Sequence, residues 1–180
     1  QELAFVLGSF AALSGFLGVI MGGRLADYLR TRNPAGRIIV IMIGVLGPVI
    51  PIWIAFTTDN ATLFYGLNFV AGLLGSAALG AAAATTQDLV LPRMRGTATA
   101  VFFLATTLIG LGFGPYVVGQ IADLTGTMVD GKMVGNLRAG ILSLIGMVPV
   151  AMALLLYAYR SVPAAEATLL DRARAAGEAV

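Results

Sequence analysis

Cysteine and histidine are both absent from these 180 residues, and charged side chains make up only 11% of them. Disulfide frameworks, zinc clusters and Ser-His-Asp or Cys-His catalytic sets are therefore excluded within this sequence. A soluble domain usually carries about 25% charged residues, whereas this chain is 58% apolar and has a mean hydropathy of +0.92. This composition excludes disorder and a lone soluble domain, and it indicates a polytopic membrane protein.

Basic residues are few, and ten of the eleven are arginine, with Lys132 as the single lysine. The net charge is only +2, so the pI near 9.3 reflects missing histidine and few acids. Nucleic-acid binding would need clustered basic residues with interleaved aromatics. We therefore predict that the protein does not bind nucleic acid. We also expect no metal site and no cofactor.

Five apolar stretches are long enough to cross a bilayer core of about 30 Å, which takes roughly 20 residues in a helix. They cover about residues 3–29, 37–56, 63–89, 96–124 and 137–159, and the breaks between them contain turn formers or charges. The stretches do not alternate as barrel strands would. We predict an all-α membrane protein with a helical bundle over residues 1–160.

The two ends of the sequence carry further expectations. Gln1 is neither an initiator methionine nor part of a signal peptide, so we expect a fragment whose upstream part is missing. Residues 161–180 are more polar, and Pro163 suits the first turn of a helix. We therefore predict a cytoplasmic tail with a short helix that ends near Gly177.

The arginines predict the orientation of the spans. If successive loops alternate sides, nine basic residues lie on one side and only Lys132 and Arg138 lie on the other. The positive-inside rule places the side with nine in the cytoplasm, together with the tail. A multi-pass protein of the cell (inner) membrane is the corresponding prediction.

Small residues and prolines predict how the spans pack. Gly18 and Gly22 are four residues apart in the first span, and a longer series of small residues at the same spacing follows in the third. Such residues let membrane helices approach closely. Four prolines predict bends in the second, fourth and fifth spans. Such bends can serve transport movements or only adapt the packing of the helices. The prolines are Pro48, Pro51, Pro115 and Pro149.

A charged motif closes the first span, where residues 22–34 read GGRLADYLRTRNP. A glycine there would let a neighbouring helix approach, and an aspartate at a helix end can pair with arginines or with a facing helix N-terminus. The segment resembles the G-x-L-a-D-r-x-g-r-r signature of the major facilitator superfamily, with Tyr28 in place of the usual basic residue. An ordinary interfacial charge cluster is the alternative. The resemblance implies a conformational latch formed by Gly23, Asp27, Arg30 and Arg32.

Two more segments resemble the same family. Residues 91–98, LPRMRGTA, are similar to the P-x-x-R-G-x-a loop that opens the fifth helix of a facilitator half, through Arg93, Arg95 and Gly96. Residues 112–126 are similar to the end of the eleventh helix, and the matching positions are Gly114, Pro115, Gly119 and Asp123. Parts of the first and third motifs also resemble the spinster-like branch, whose members handle sphingolipids or lysophospholipids.

This resemblance implies that the five spans correspond to helices eight to twelve of a twelve-helix transporter. They would form most of a C-terminal six-helix half, so the expected partners are the bilayer, the missing N-terminal half and the first helix of this half. A solute would bind near mid-bilayer between the halves. Asp27, Asp88 and Asp123 all lie at span ends, so any acid that couples transport to protons is expected in the missing half.

Polar residues at mid-depth or nearer the outer mouth are the candidates for a substrate cavity. They are Ser14, Asn68, Ser76, Thr106, Thr107, Tyr116 and Gln120. Hydroxyls in helices often bond back to their own backbone, so we expect only some to face a cavity, with Asn68 the best single candidate. The transporter hypothesis predicts a small organic or amphipathic solute, and the small number of polar groups favours an amphipathic or lipid-like one.

The main hypothesis is therefore part of a secondary active transporter that works by alternating access. A membrane-embedded transferase is an alternative, but histidine, a central acid and long loops are all missing. A standalone five-span scaffold or channel subunit is another alternative, and it would leave the small-residue surfaces of the third span without a partner half.

Overall fold

The computed structural model describes the backbone of residues 2–129 and 132–175. Its helices are α1 (Glu2–Arg30), α2 (Gly36–Leu46), α3 (Val49–Thr57), α4 (Ala61–Asp88), α5 (Arg95–Ala105), α6 (Gly114–Leu124), α7 (Leu137–Ser143), α8 (Val148–Ala167) and α9 (Leu169–Ala175). Two strands of three residues, β1 (Thr127–Val129) and β2 (Lys132–Val134), pair antiparallel between α6 and α7. Apart from this hairpin the architecture is helical, and the predicted all-α membrane fold is confirmed.

Five helical segments of the described chain are long and apolar enough to cross a membrane. They run over Gly8–Arg30, Gly36–Thr57, Ala61–Asp88, Pro92–Leu124 and Leu137–Ala167. The expected ends differ from these by a few residues, except at the last span, which was expected to end at residue 159. There α8 continues to Ala167 with Pro163 inside it, so the prediction that Pro163 begins a separate helix is wrong. Gly177 lies outside the described residues.

Three spans are not uninterrupted α-helices, and a proline lies at each interruption. The second span divides between α2 and α3 at Pro48, while Pro51 lies within α3. The fourth contains a π-helical segment, Thr106–Phe113, directly before Gly114 and Pro115. In the fifth, a 3₁₀ turn at Leu144–Met147 precedes Pro149. Proline cannot donate a backbone hydrogen bond and crowds the preceding turn, which accounts for a change of helix type at these points.

The best-packed part of the bundle surrounds α4, which contacts α1, α2 and α3. A Cβ atom on Gly22 would lie 2.6 Å from the Cβ of Ala77, and one on Gly44 would lie 2.9 Å from the backbone nitrogen of Ala78. These glycines therefore allow α1 and α2 to touch α4 closely. The small core that results contains Ala26, Val40 and Ala81.

The fourth span has the least protein around it. Its α5 part contacts α4 and its α6 part contacts α7. Within the described residues, its most apolar stretch has no buried position. Leu108, Ile109 and Leu111 are each more than 60% exposed. An apolar surface of this kind requires lipid or further protein to cover it.

Candidate functional site

A cleft of about 430 Å³ opens between α1 and α4. Aromatic rings from both helices line it, since Phe10 and Phe69 lie edge to face with their centroids 5.9 Å apart. Three of the seven predicted cavity residues, Ser14, Asn68 and Ser76, lie on its walls. The cleft therefore has the mixed apolar and polar lining that is typical of small-molecule sites.

The polar groups of the cleft differ in how they are bonded. The hydroxyl of Ser14 is buried and donates to the carbonyl of Ala11, 3.1 Å away. The side-chain nitrogen of Asn68 donates to the carbonyl of Phe64 at 2.9 Å. Gly72 keeps the two helices close here, because a Cβ atom on it would lie 2.6 Å from the hydroxyl oxygen of Ser14. The cleft is thus bounded on one side by tight helix packing.

The other four cavity candidates do not reach this cleft. Thr106 and Thr107 lie in the π-helical segment, and Tyr116 and Gln120 lie on α6; all four are exposed. The hydroxyl of Thr106 bonds back to the carbonyl of Phe102. Their expected role at a substrate cavity stays a prediction.

A second group of side chains joins four helices at the arginine-rich end of the bundle. Arg30 of α1 forms ion pairs with Asp88 of α4 and Glu166 of α8. Arg37 of α2 pairs with Asp88 and, at 2.9 Å, with Asp27 of α1. We call these five residues the ion cluster. It fixes the ends of α1, α2, α4 and α8 relative to each other.

Arg37 is the most enclosed member of the ion cluster, since its side chain is 15% exposed. It also donates to the carbonyl of Ala84 at 3.1 Å. Asp88, which accepts from both arginines, is 20% exposed, whereas Asp27 is 68% exposed. The shared carboxylate of Asp88 is therefore the electrostatic centre, because partial burial strengthens its attraction to both guanidinium groups.

Two of the four predicted latch residues lie outside the ion cluster. The guanidinium carbon of Arg32 lies 4.7 Å from the centroid of the Tyr28 ring, a cation–π contact. Gly23 has open space around its Cβ direction, and Gly22 is the glycine that α4 approaches. The close helix approach lies at Gly22, one of the two glycines whose spacing predicted packing in the first span, and the latch role of Gly23 stays a prediction.

The remaining motif residues have simpler surroundings. Arg93 lies in a 3₁₀ turn, and Arg95 and Gly96 begin α5. Gly114, Pro115 and Gly119 lie on α6, and neither glycine has an atom within 4 Å of its Cβ direction. The carboxylate of Asp123 at the end of α6 lies close to Gly135, after the hairpin.

The comparisons with known proteins agree with these features. Over 125 residues the chain is 31% identical to an MFS-type efflux pump of Mycolicibacterium smegmatis, covering 68% of this chain and 28% of that protein. It is 29% identical over 125 residues to a sphingosine-1-phosphate transporter of Xenopus tropicalis, covering 67% and 24%. It is 30% identical over 129 residues to the protein spinster of Drosophila melanogaster, covering 68% and 21%. The chain belongs to the major facilitator superfamily.

Among these facilitators the similarity includes the spinster-like branch. No family model matches the chain. The chain spans about a quarter of the length of the curated relatives that it matches. As a facilitator-family protein with five spanning helices it is a multi-pass membrane protein, and two of the named relatives are an efflux pump and a sphingosine-1-phosphate transporter.

Sequence reasoning missed part of the ion cluster of this facilitator. From the sequence, Arg37 is only one of nine positive charges on the cytoplasmic side, and Asp88 is only an acid at a span end. Glu166 is only a polar residue of the tail. The spacing of Arg37, seven residues after Arg30 across a short turn, was the available signal for a second arginine beside Asp27. Glu166 carried no such signal, because its position depends on α8 continuing past Pro163.

Proposed function

We propose that this chain is part of a secondary active transporter that moves a small organic or amphipathic solute across a membrane by alternating access. The observation that carries the proposal is the placement of the ion cluster and the cleft. The ion cluster holds four helix ends together on one side of the bundle. The cleft opens between α1 and α4, about four turns of α1 away from the ion cluster. The close contact at Gly18 and Gly22 lies between the two.

Alternating access needs a latch that holds one conformation and is released in another. The ion cluster is suited to this task, because exposed and half-exposed ion pairs are individually weak. Several such pairs stabilise one arrangement without making it permanent. In the proposed cycle the ion cluster closes the arginine-rich side while the cleft faces the opposite side.

A second helical bundle is part of the proposal. The matched residues cover only about a quarter of each relative, and the fourth span presents an apolar surface that the described residues leave uncovered. We infer that six helices of an N-terminal half and one more helix of this half complete the cavity. A proton-coupling acid, if the transporter uses protons, belongs to that part, since these five spans have no acid at mid-depth.

The proposed location is the cell (inner) membrane, with the ion cluster and the C-terminal tail in the cytoplasm. Nine of the eleven basic residues lie at this side of the predicted topology. Their bias supports the orientation through the positive-inside rule.

Efflux of fluorescent amphiphiles from cells that express the full-length protein tests the proposal. The panel contains one cationic, one zwitterionic and one anionic probe, and we expect at least one to be exported faster than from cells without the protein. Asp27→Asn in the full-length protein should then lower turnover severalfold while probe binding changes less, because it removes a latch contact and no contact to the solute.

Asp59→Asn is the matched control, since Asp59 forms an exposed ion pair with Arg138 at the opposite end, 3.4 Å apart. It should leave turnover unchanged. Export of none of the probes by the wild type would argue against a transporter of amphiphiles. If Asp27→Asn turns over as fast as the wild type, Asp27 is not part of a conformational latch.

A further inference from the structure

Two polar groups that line the cleft between α1 and α4 differ from the other hydroxyls of α4 in their hydrogen bonding. The hydroxyls of Thr85 and Thr86 on the same helix bond back to the carbonyls of Ala81 and Ala82. Within the described part of the chain, the hydroxyls of Ser76 and Tyr65 have no hydrogen-bond partner. Polar groups in a bilayer are costly when left unsatisfied, and these two hydroxyls are available to hydrogen-bond a ligand that enters the cleft.

Asn68 adds an acceptor of fixed direction. A carbonyl oxygen only accepts hydrogen bonds, so the group that faces the Phe64 carbonyl must be the NH₂ of the amide. The Oδ1 atom of Asn68 then points away from Phe64, and it has no donor among the described residues. The cleft therefore offers an amide oxygen whose orientation is fixed by its own helix.

The cleft has no charge. Its described lining consists of aromatic, small and neutral polar residues. The first arginine along α1 is Arg24, ten residues after Ser14, which is about 15 Å along the helix axis. Asp88, the acid of α4, is twelve residues beyond Ser76, or about 18 Å away. A phosphate or carboxylate group placed in the cleft would lose its hydration without a basic counter-charge from the described residues of these two helices.

We propose that this cleft binds the uncharged part of an amphipathic ligand, with a hydroxyl or amide N–H of that ligand donating to Oδ1 of Asn68. The apolar part packs on Phe10 and Phe69, and the hydroxyls of Tyr65 and Ser76 provide further hydrogen bonds. The inference rests on the proposed function only in treating the cleft as one wall of the solute cavity. It adds that an anionic head group is not held by this wall.

Three photoreactive probes with the same alkyl chain test the inference on the full-length protein in nanodiscs. The first is a monoalkylglycerol, which has two hydroxyl donors and no charge; the second is its di-O-methyl ether, without donors; the third is the alkyl phosphate, an anion. Crosslinking to peptides of α1 and α4 is measured by mass spectrometry against probe concentration. We expect the monoalkylglycerol to bind most tightly and the alkyl phosphate least tightly.

Asn68→Leu should weaken binding of the monoalkylglycerol roughly threefold to tenfold, the value of one hydrogen bond. Binding of the dimethyl ether should change by less than about twofold, because that probe donates nothing to Asn68. Gln87→Leu removes an amide of α4 outside the cleft, where its side chain donates to the hydroxyl of Thr99, and it serves as the matched control, with no change for any probe. Ser76→Ala is a second cleft variant for the case in which Asn68→Leu unfolds.

Alkyl phosphate binding as tight as that of the monoalkylglycerol would overturn the inference. Equal weakening of all three probes by Asn68→Leu would also overturn it, since a general packing defect would explain that result. A different result would refute the proposed function. If the cleft prefers the monoalkylglycerol to the alkyl phosphate but the full-length protein transports no probe, the inference stands and the transporter is refuted. Transport that is unaffected by Asn68→Leu and Ser76→Ala would refute the inference alone.

Discussion

Two adjacent glycines in α1 have opposite surroundings, and this difference decides what each one contributes. A Cβ atom on Gly22 would lie 2.6 Å from the Cβ of Ala77, while nothing lies within 4 Å of the same position on Gly23. Gly22→Ala should therefore push α1 away from α4 and destabilise the bundle by about 1–3 kcal/mol, as overpacking generally does.

Gly23→Ala is the control for this prediction, with the same chemical change one residue later. It should leave stability equal or slightly raised, because alanine is the better helix former by about 1 kcal/mol. The measurement is the fraction of folded protein in detergent after heating, followed by size-exclusion chromatography. Equal losses in both variants would contradict the close contact at Gly22.

The two aspartates of the ion cluster should also differ in how much each one contributes to the stability of the fold. Asp88 accepts from Arg30 and Arg37 and is 20% exposed, whereas Asp27 pairs with Arg37 alone and is 68% exposed. Asp88→Asn should cost roughly 1.5–3 kcal/mol, the range for hydrogen bonds to charged groups. Asp27→Asn should cost about 0–1 kcal/mol, as for surface ion pairs.

Thermal stability of the two variants in the same detergent, at low and at high salt, checks this difference. Raised salt should narrow the difference between wild type and Asp27→Asn, because exposed charges are screened most. A larger loss for Asp27→Asn than for Asp88→Asn would show that the exposed pair is the stronger one.

At the scale of helices, the sequence predicted the five spans well because crossing about 30 Å of hydrocarbon sets a minimum length of apolar helix. It could not predict the helix type inside a span. The π-helical segment Thr106–Phe113 and the 3₁₀ turn Leu144–Met147 depend on how the backbone adapts before a proline. Pro163 was misplaced because its fixed φ angle fits both a first turn and a helix interior that tolerates the missing hydrogen bond.

The π-helical segment gives a prediction at this scale. Pro115 donates no hydrogen bond and its ring crowds the carbonyl four residues earlier, that of Leu111. Pro115→Ala restores the donor, so we expect the segment Thr106–Phe113 to approach α-helical geometry. Amide hydrogen exchange there, measured by mass spectrometry in nanodiscs, should slow by about threefold to tenfold for the gain of one hydrogen bond.

Pro149→Ala is the control for exchange in this segment, because Pro149 lies in the first turn of α8 in a different span. It should leave the exchange of Thr106–Phe113 unaltered. Unchanged exchange in Pro115→Ala would indicate that Pro115 does not cause the π-helical geometry. The cause would then be the glycines Gly110 and Gly112, whose Cβ directions are open.

For the whole molecule, the sequence indicated the candidate cleft only in part. Ser14, Asn68 and Ser76 were predicted from polarity and depth, and they lie together because α1 and α4 are in contact. Phe10, Tyr65 and Phe69 were not predicted, since an aromatic residue in a membrane helix carries no signal that distinguishes a cleft from a lipid-facing surface. The tertiary arrangement of the spans supplies that information, and residue-level patterns do not contain it.

The orientation of the bundle can be measured directly because these 180 residues have no cysteine. Single cysteines at Thr31 and Thr97 lie at the arginine-rich end, and one at Asp59 lies at the other; all three positions are exposed. If the arginine-rich end is cytoplasmic, a membrane-impermeant maleimide should label Asp59→Cys in intact cells. Thr31→Cys and Thr97→Cys should react only after the membrane is permeabilised.

Any cysteine elsewhere in the full-length protein is replaced first, and export of a fluorescent amphiphile confirms that each variant folds. The opposite labelling pattern would contradict this orientation. Labelling of Thr31→Cys and Thr97→Cys in intact cells, with Asp59→Cys protected, would place the ion cluster outside. The nine basic residues would then violate the positive-inside rule, and the proposed latch would close the outer side of the transporter instead of the cytoplasmic one.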